Sequence, residues 1–186
     1  MTEDFKRLKR ELVHEGSIIK FYKDTVKVPN GNIVEWDFIG HKGAAAVVPV
    51  LEDGRILMVK QYRNALDRYT LEIPAGGLNY LPDGSLESFI LCSHRELEEE
   101  TGYKTDIEKM EFLVSIRTTV AFCDERIDVF VAKDLQKSCQ NLDEDEFINV
   151  KAVSVEALTK MIFSGEIQDS KTISAILAYK EKYCKA

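Results

Sequence analysis

The chain has no run of about 18 apolar residues, so no membrane-spanning helix can be built from it. Its four cysteines, Cys92, Cys123, Cys139 and Cys184, form no CxxC pair and sit beside no histidine cluster. That argues against structural zinc and against a disulfide framework. The histidines, His14, His41 and His94, lack the mutual spacing of a ligand set or a triad. Glycine and proline are scarce, ten and four in 186 residues, against 45% hydrophobic and 31% charged residues. Such a composition excludes a disordered or collagen-like chain. A basic surplus is also missing: 25 Lys and Arg face 32 Asp and Glu, for a net charge of −7. A broad nucleic-acid-binding face needs the opposite balance. A small phosphorylated ligand stays open, because carboxylates holding a divalent cation turn a negative patch into a phosphate site. The first segment, Met1 to Leu12, is amphipathic and basic, but Glu3, Asp4 and Glu11 suit neither a secretory signal nor a transit peptide. A cytoplasmic protein is expected.

The length suits one domain with a small appendage. Ser17 to Val28 and Asn32 to Ile39 are β-rich and flank Pro29-Asn-Gly31, where Asn-Gly provides the positive φ of a tight hairpin. Ala44 to Leu51 and Arg55 to Tyr62 repeat that arrangement around Glu52-Asp-Gly54. Tyr69 to Pro74 reads as a short strand stopped by its proline. From Ser85 the period becomes helical at Leu86, Phe89, Ile90 and Leu97, with Ser85 as expected N-cap and Gly102 at the left-handed position after the last turn. The spacing predicts one helix over 85–101. Strands are expected again at 111–117, 126–132 and 147–153, followed by amphipathic helices at 155–163 and 171–183. The expected architecture is an α/β/α domain from residue 41 onward, preceded by a short antiparallel β appendage over residues 1–40.

The most unusual segment is Arg95-Glu-Leu-Glu-Glu-Glu-Thr-Gly-Tyr103. On a helix Glu96, Glu99 and Glu100 lie at i, i+3 and i+4 and share one face, while Glu98 points about 200° away from Glu96. Like charges so placed repel, and the last turn of a helix disfavours anions further. A divalent cation bound by hard oxygen ligands, Mg²⁺ or Mn²⁺, would offset that cost. The plain alternative is a solvated charged helix face.

With Glu87 eight positions before Arg95, the chain carries Glu-x7-Arg-Glu-Leu-x-Glu-Glu-x-Gly-Tyr. This resembles the Nudix box, and every fixed position of its second half is matched. The first half departs: Leu81 stands where the box has glycine, and the nearest upstream glycines are Gly76 and Gly77, which implies an insertion around Asn79 to Asp83. Val59-Lys-Gln-Tyr-Arg63, Leu71-Glu-Ile-Pro-Ala-Gly76, Asp124-Glu125 and Asp143-Glu-Asp-Glu-Phe147 follow the order of the ADP-ribose pyrophosphatase branch, the hydrolases of nucleoside diphosphate sugars. The resemblance spans most of residues 17–183.

The resemblance implies a Nudix-like α/β/α sandwich with a mixed sheet, and a Mg²⁺-dependent attack of water on the pyrophosphate of a nucleoside diphosphate sugar. ADP-ribose, giving AMP and ribose 5-phosphate, is the first substrate; GDP-mannose, a dinucleoside polyphosphate, or a silent sugar-nucleotide-binding domain are the alternatives. Carried over by position, Glu96 and Glu100 are the principal metal ligands, Glu99 bridges or supports them, and the Ala75 carbonyl adds an oxygen. Arg95 orients the glutamates and pairs with Glu87. Glu146 is the first choice for general base, Glu144 the second and Glu125 the third. Arg63 would clamp a phosphate, and Glu72 would accept hydrogen bonds from a ribose or amine. Trp36 is either core packing or a stacking face for the nucleobase. A homodimer is implied as well, its N-terminal hairpin packing across the partner and closing the base pocket.

Overall fold

Ala44–Pro49 is apolar and buried at all of its positions, which makes it a strand covered on both faces. The computed structural model describes residues 4–144 and 146–184; residues 1–3, Asp145 and residues 185–186 lie outside them. The described chain divides into two compact units, one running up to Gly43 together with Arg117–Arg126, the other comprising Ala44–Ile116 and the chain from Ile127.

In the first unit β1 (Lys6–Glu15), β2 (Lys20–Lys27) and β3 (Ile33–Gly40) form an antiparallel sheet in that order. The turn between β2 and β3 is the expected Asn-Gly one, with Gly31 at φ 87° and its N–H donating to the Val28 carbonyl. The sequence-based expectation of a two-stranded hairpin is corrected by β1, a third strand. Every residue of β1 is exposed, so it carries no alternation of buried and polar positions to read. It is held by its antiparallel pairing along β2 and by Arg10, which donates to both oxygens of the buried Asp24 at 2.7 and 2.6 Å and lies 3.6 Å over the Phe38 ring.

The second unit is built around β4 (Ala44–Pro49). Next come β5 (Ile56–Arg63), β6 (Arg68–Glu72), β7 (Ala75–Gly77), α1 (Phe89–Thr101), β8 (Tyr103–Lys104), β9 (Glu111–Arg117), β10 (Arg126–Ala132), β11 (Gln136–Lys137) and β12 (Asn149–Val153). The helices α2 (Val155–Phe163) and α3 (Ser170–Tyr183) follow. One sheet runs β7-β4-β10-β9, with β4 and β10 parallel and β7 antiparallel to β4; a second, antiparallel sheet runs β12-β5-β6. Alternate side chains of β4 serve different layers. Ala44, Ala46 and Val48 join the core with Leu158, Ala175 and Ile176 of α2 and α3. Val47 faces Leu97 of α1, and Ala45 faces Cys92. The fold is therefore a mixed α/β/α sandwich. No helix among the described residues is long and apolar enough to cross a membrane.

The start of α1 differs from the expectation. Ser85 does not cap it, because its N–H and hydroxyl both bind Asp83 Oδ1, at 2.9 and 2.6 Å. The cap is Ser88, which accepts from the Leu91 N–H, and the helix opens at Phe89. The insertion around Asn79 to Asp83 folds as a small hairpin. Tyr80 pairs with Leu86, Gly84 turns the tip at φ 82°, and the Glu87 N–H donates to the Asn79 carbonyl at 2.9 Å. At the other end of α1 Gly102 occupies the expected left-handed position, φ 69°, and donates to the Glu98 carbonyl.

Candidate active site

The acidic face of α1 lies against the short strand β7 and the loop entering it. Glu100 is 2% exposed and accepts the Ala75 N–H at 2.9 Å. Glu96 is 7% exposed and fits where Gly76 has no side chain: a Cβ there would stand 1.9 Å from Glu96 Oε1. Gly76 is thus required for space rather than for its backbone angles.

Arg95 is the organiser. One terminal nitrogen donates to Glu96 Oε1 and Glu99 Oε2, each at 2.7 Å. The other donates to Glu87 Oε1 at 2.9 Å and to the Gly77 carbonyl at 3.3 Å. Glu87 also accepts the Asn79 N–H at 2.8 Å, so the inserted hairpin is tied to the same arginine. Glu98, on the opposite face, accepts the Ser138 hydroxyl at 2.5 Å.

One arginine shared among three acids leaves Glu100 without a cationic partner of its own. Burial pushes the Glu100 carboxyl up to about 8, with Glu96 and Glu146 adding to the rise and the Ala75 N–H opposing it. Burial likewise lifts Glu96 to about 7; Arg95 pulls it down, and Glu99 and Glu146 push it up. Among the described residues no three Asp, Glu, His or Cys side chains already stand together as a metal cage. The residues still fit a hard divalent cation. Two buried carboxylates lie one helical turn apart, against Gly76 and Ala75, with too little positive charge between them, all donors are oxygens, and the charge of a third carboxylate, Glu146, acts on both.

These shifts fix how metal-free stability depends on pH. Glu96 and Glu100 hold protons more tightly folded than at their ordinary 4.5, so the folded state binds more protons and stability falls as pH rises from 4.5 to about 8. In chelator, the melting temperature is expected to be higher near pH 5.5 than near pH 8.5. Adding Mg²⁺ at pH 8.5 should raise it, and thermal shift over a pH series with and without the cation checks both. Equal melting temperatures at the two pH values in chelator would refute this reading of the pair.

Of the acids expected as general base, Glu146 shares its unit with the α1 glutamates and acts on both of them. Its N–H donates to the Asp143 carbonyl at 3.0 Å, which curls the loop. Glu144 is exposed, and Asp145 lies outside the described residues. Glu125 belongs to the other unit, where it accepts the Thr118 hydroxyl at 2.6 Å and stands 3.6 Å from His41 Nδ1. Trp36, also in that unit, is 49% exposed with its ring 5.9 Å from that of Phe5.

Arg63 and Glu72 meet each other, through two hydrogen bonds of 2.8 and 2.7 Å. Glu72 also accepts the Thr70 hydroxyl at 2.6 Å and the Lys171 ammonium. Burial raises the Glu72 carboxyl, but Arg63, Lys171 and Thr70 outweigh it and hold the group at about 2. A cavity of about 250 Å³ opens beside this cluster, lined by Arg63, Thr70, Glu72, Gln168 and Lys171 among others. Sequence reasoning missed Lys171, together with Asp169 and Thr172 of the same turn. Lys171 and Thr172 reach Glu72 and Ile73 from 99 positions away, with Asp169 holding both in place, and no local pattern signals that.

The NUDIX domain model matches residues 40–175. The chain belongs to the Nudix hydrolase family, enzymes that act on a phosphoric anhydride. It is 38% identical to the methanol dehydrogenase activator of Bacillus methanolicus and 38% identical to the ADP-ribose pyrophosphatase of Bacillus subtilis, over 92% of this chain and 90% of each relative. Identity to the ADP-ribose pyrophosphatase of Mycobacterium tuberculosis is 32%, over 94% of this chain and 83% of the relative. A solved ADP compounds hydrolase superimposes with a TM-score of 0.81 at 18% identity, covering 97% of this chain and 95% of that one.

Proposed function

We propose that the protein hydrolyses the pyrophosphate bond of a nucleoside diphosphate sugar with Mg²⁺, or Mn²⁺, and that ADP-ribose is cleaved to AMP and ribose 5-phosphate. The observation that carries this is the buried, under-compensated pair Glu96 and Glu100 with Glu146 acting on both. Similarity to two ADP-ribose pyrophosphatases supports the substrate class. A bound divalent cation neutralises phosphoryl oxygens and acidifies water. Glu96 and Glu100 hold it, with Glu99 and the Ala75 carbonyl in support, and Arg95 keeps the glutamates in place. Glu146 takes the proton from water, ahead of Glu144 and Glu125. Arg63 clamps a phosphate, and Glu72, on which Arg63 is seated, accepts hydrogen bonds from a ribose or amine.

Exposed Phe5, Leu8, Leu12, Val13 and Trp36 leave the N-terminal sheet with apolar surface to cover. We take it as the contact of a homodimer, in which the Trp36 indole stacks on the nucleobase.

Purified protein with Mg²⁺ is expected to turn over ADP-ribose faster than GDP-mannose or a dinucleoside polyphosphate, with AMP as product by chromatography. Loss of none of these substrates, with ADP-ribose still binding by calorimetry, would replace the reading with a silent binding domain.

A further inference from the structure

We infer that Lys171 is a positioning residue: it is the resident counter-ion of Glu72, and by staying it lets Arg63 leave Glu72 for the diphosphate of a substrate. The inference rests on the substrate class proposed above.

The donors around Glu72 divide into two sets. Arg63 supplies one hydrogen bond to each carboxylate oxygen, Nε to Oε1 and Nη2 to Oε2. Thr70 supplies a second to Oε1, and Lys171 a second to Oε2. If Arg63 departs, each oxygen keeps one donor and the charge keeps one cation. Without Lys171, Oε2 would have no partner but Arg63, and the carboxylate would be left buried and uncompensated, a state proteins avoid at high cost.

Exposure separates the two cations in the same way. The side chain of Lys171 is 9% exposed, that of Arg63 40% and that of Glu72 2%. Both cations line the 250 Å³ cavity, and Arg63 is the more exposed of the two, so it is the one with room to swing into it. It also feels the negative charges of Asp169 and Glu100. Lys171 is fixed from behind. It donates to Asp169 Oδ2 at 3.0 Å, and Asp169 caps α3 through the Thr172 N–H at 2.9 Å and the Thr172 hydroxyl at 2.6 Å. Thr172 Oγ1 in turn accepts the Ile73 N–H at 3.0 Å, which joins α3 to the end of β6. Lys171 thus has two carboxylate partners, Glu72 and Asp169, whereas both side-chain hydrogen bonds of Arg63 go to Glu72, with Asp169 and Glu100 acting on it only through space.

The test is a double-mutant cycle in the full chain with Mg²⁺: wild type, Lys171→Met, Glu72→Gln and the double variant, each checked for folding by its thermal melt. Steady-state kinetics on ADP-ribose should show KM about tenfold higher in Lys171→Met with kcat within about twofold, because Arg63 is then locked on Glu72. The neutral amide introduced by Glu72→Gln does not need Arg63, so adding Lys171→Met to that variant should move KM by less than about twofold. Calorimetric titration with ADP reads the same grip without turnover, and it separates this inference from the functional one. A protein that binds ADP but hydrolyses nothing refutes the function and still reports the cycle. An unchanged KM and ADP affinity in folded Lys171→Met would overturn the inference. So would equal losses in both backgrounds, or a loss confined to kcat. If Lys171→Met does not fold, Glu72→Gln and the double variant decide: equal KM supports the inference, and about a tenfold higher KM in the double variant overturns it.

Discussion

Glu100→Gln is expected to lower turnover by on the order of 10²-fold or more while raising the melting temperature of the metal-free protein. The two effects have one cause. Glu100 is buried at 2% exposure, with a backbone N–H and no cation as its direct partner, so its charge costs stability until a metal arrives. A glutamine keeps an oxygen for the Ala75 N–H and removes the charge. Glu98→Gln should leave turnover nearly unchanged, because Glu98 points to the far face and serves Ser138. Steady-state rates and melts in chelator, run on both variants, check this. Equal loss of activity in the two would sink the assignment of the metal face.

Gly76→Ala is expected to be nearly as damaging. An added Cβ would sit 1.9 Å from Glu96 Oε1 and 2.2 Å from its carboxyl carbon, so Glu96 must move. A displacement of about 1 Å in such a site costs on the order of 10²-fold in rate. Metal affinity measured by titration should fall with it. The clash is also a specific one. Gly76→Ala should lower the melting temperature in the wild-type background and much less in a Glu96→Ala background, where the obstructing carboxylate is gone. A melting temperature that falls equally in both would show that the glycine serves something else.

The parts of this site that repeat locally were legible in the sequence. Helical spacing alone put Glu96, Glu99 and Glu100 on one face and Glu98 on the other, and Gly102 marked the helix end. The strands of the sandwich could be read because their apolar positions run unbroken or alternate, as in Ala44–Pro49. Four features were not legible, each for a physical reason. β1 is exposed along its whole length and held by its backbone pairing with β2 and by Arg10 on Asp24, so burial wrote no period into it. Ser85 and Ser88 are equivalent as caps by type, and what decides between them is the bond of Ser85 to Asp83 together with the hairpin pairing that holds residues 85–87 outside the helix. The joining of Lys171 and Thr172 to Glu72 and Ile73 is a tertiary contact between distant segments, as is the fit of Glu96 over Gly76.

The inserted hairpin has one further implication. Its two ends are fastened to each other and to Arg95, through the Glu87 N–H on Asn79 and the Glu87 carboxylate shared by Asn79 and Arg95. Its tip at Pro82, Asp83 and Gly84 is exposed. Length added at that tip is therefore mechanically isolated from the glutamates. A foreign peptide spliced between Pro82 and Gly84 would be carried at the surface of an enzyme whose chemistry does not register it.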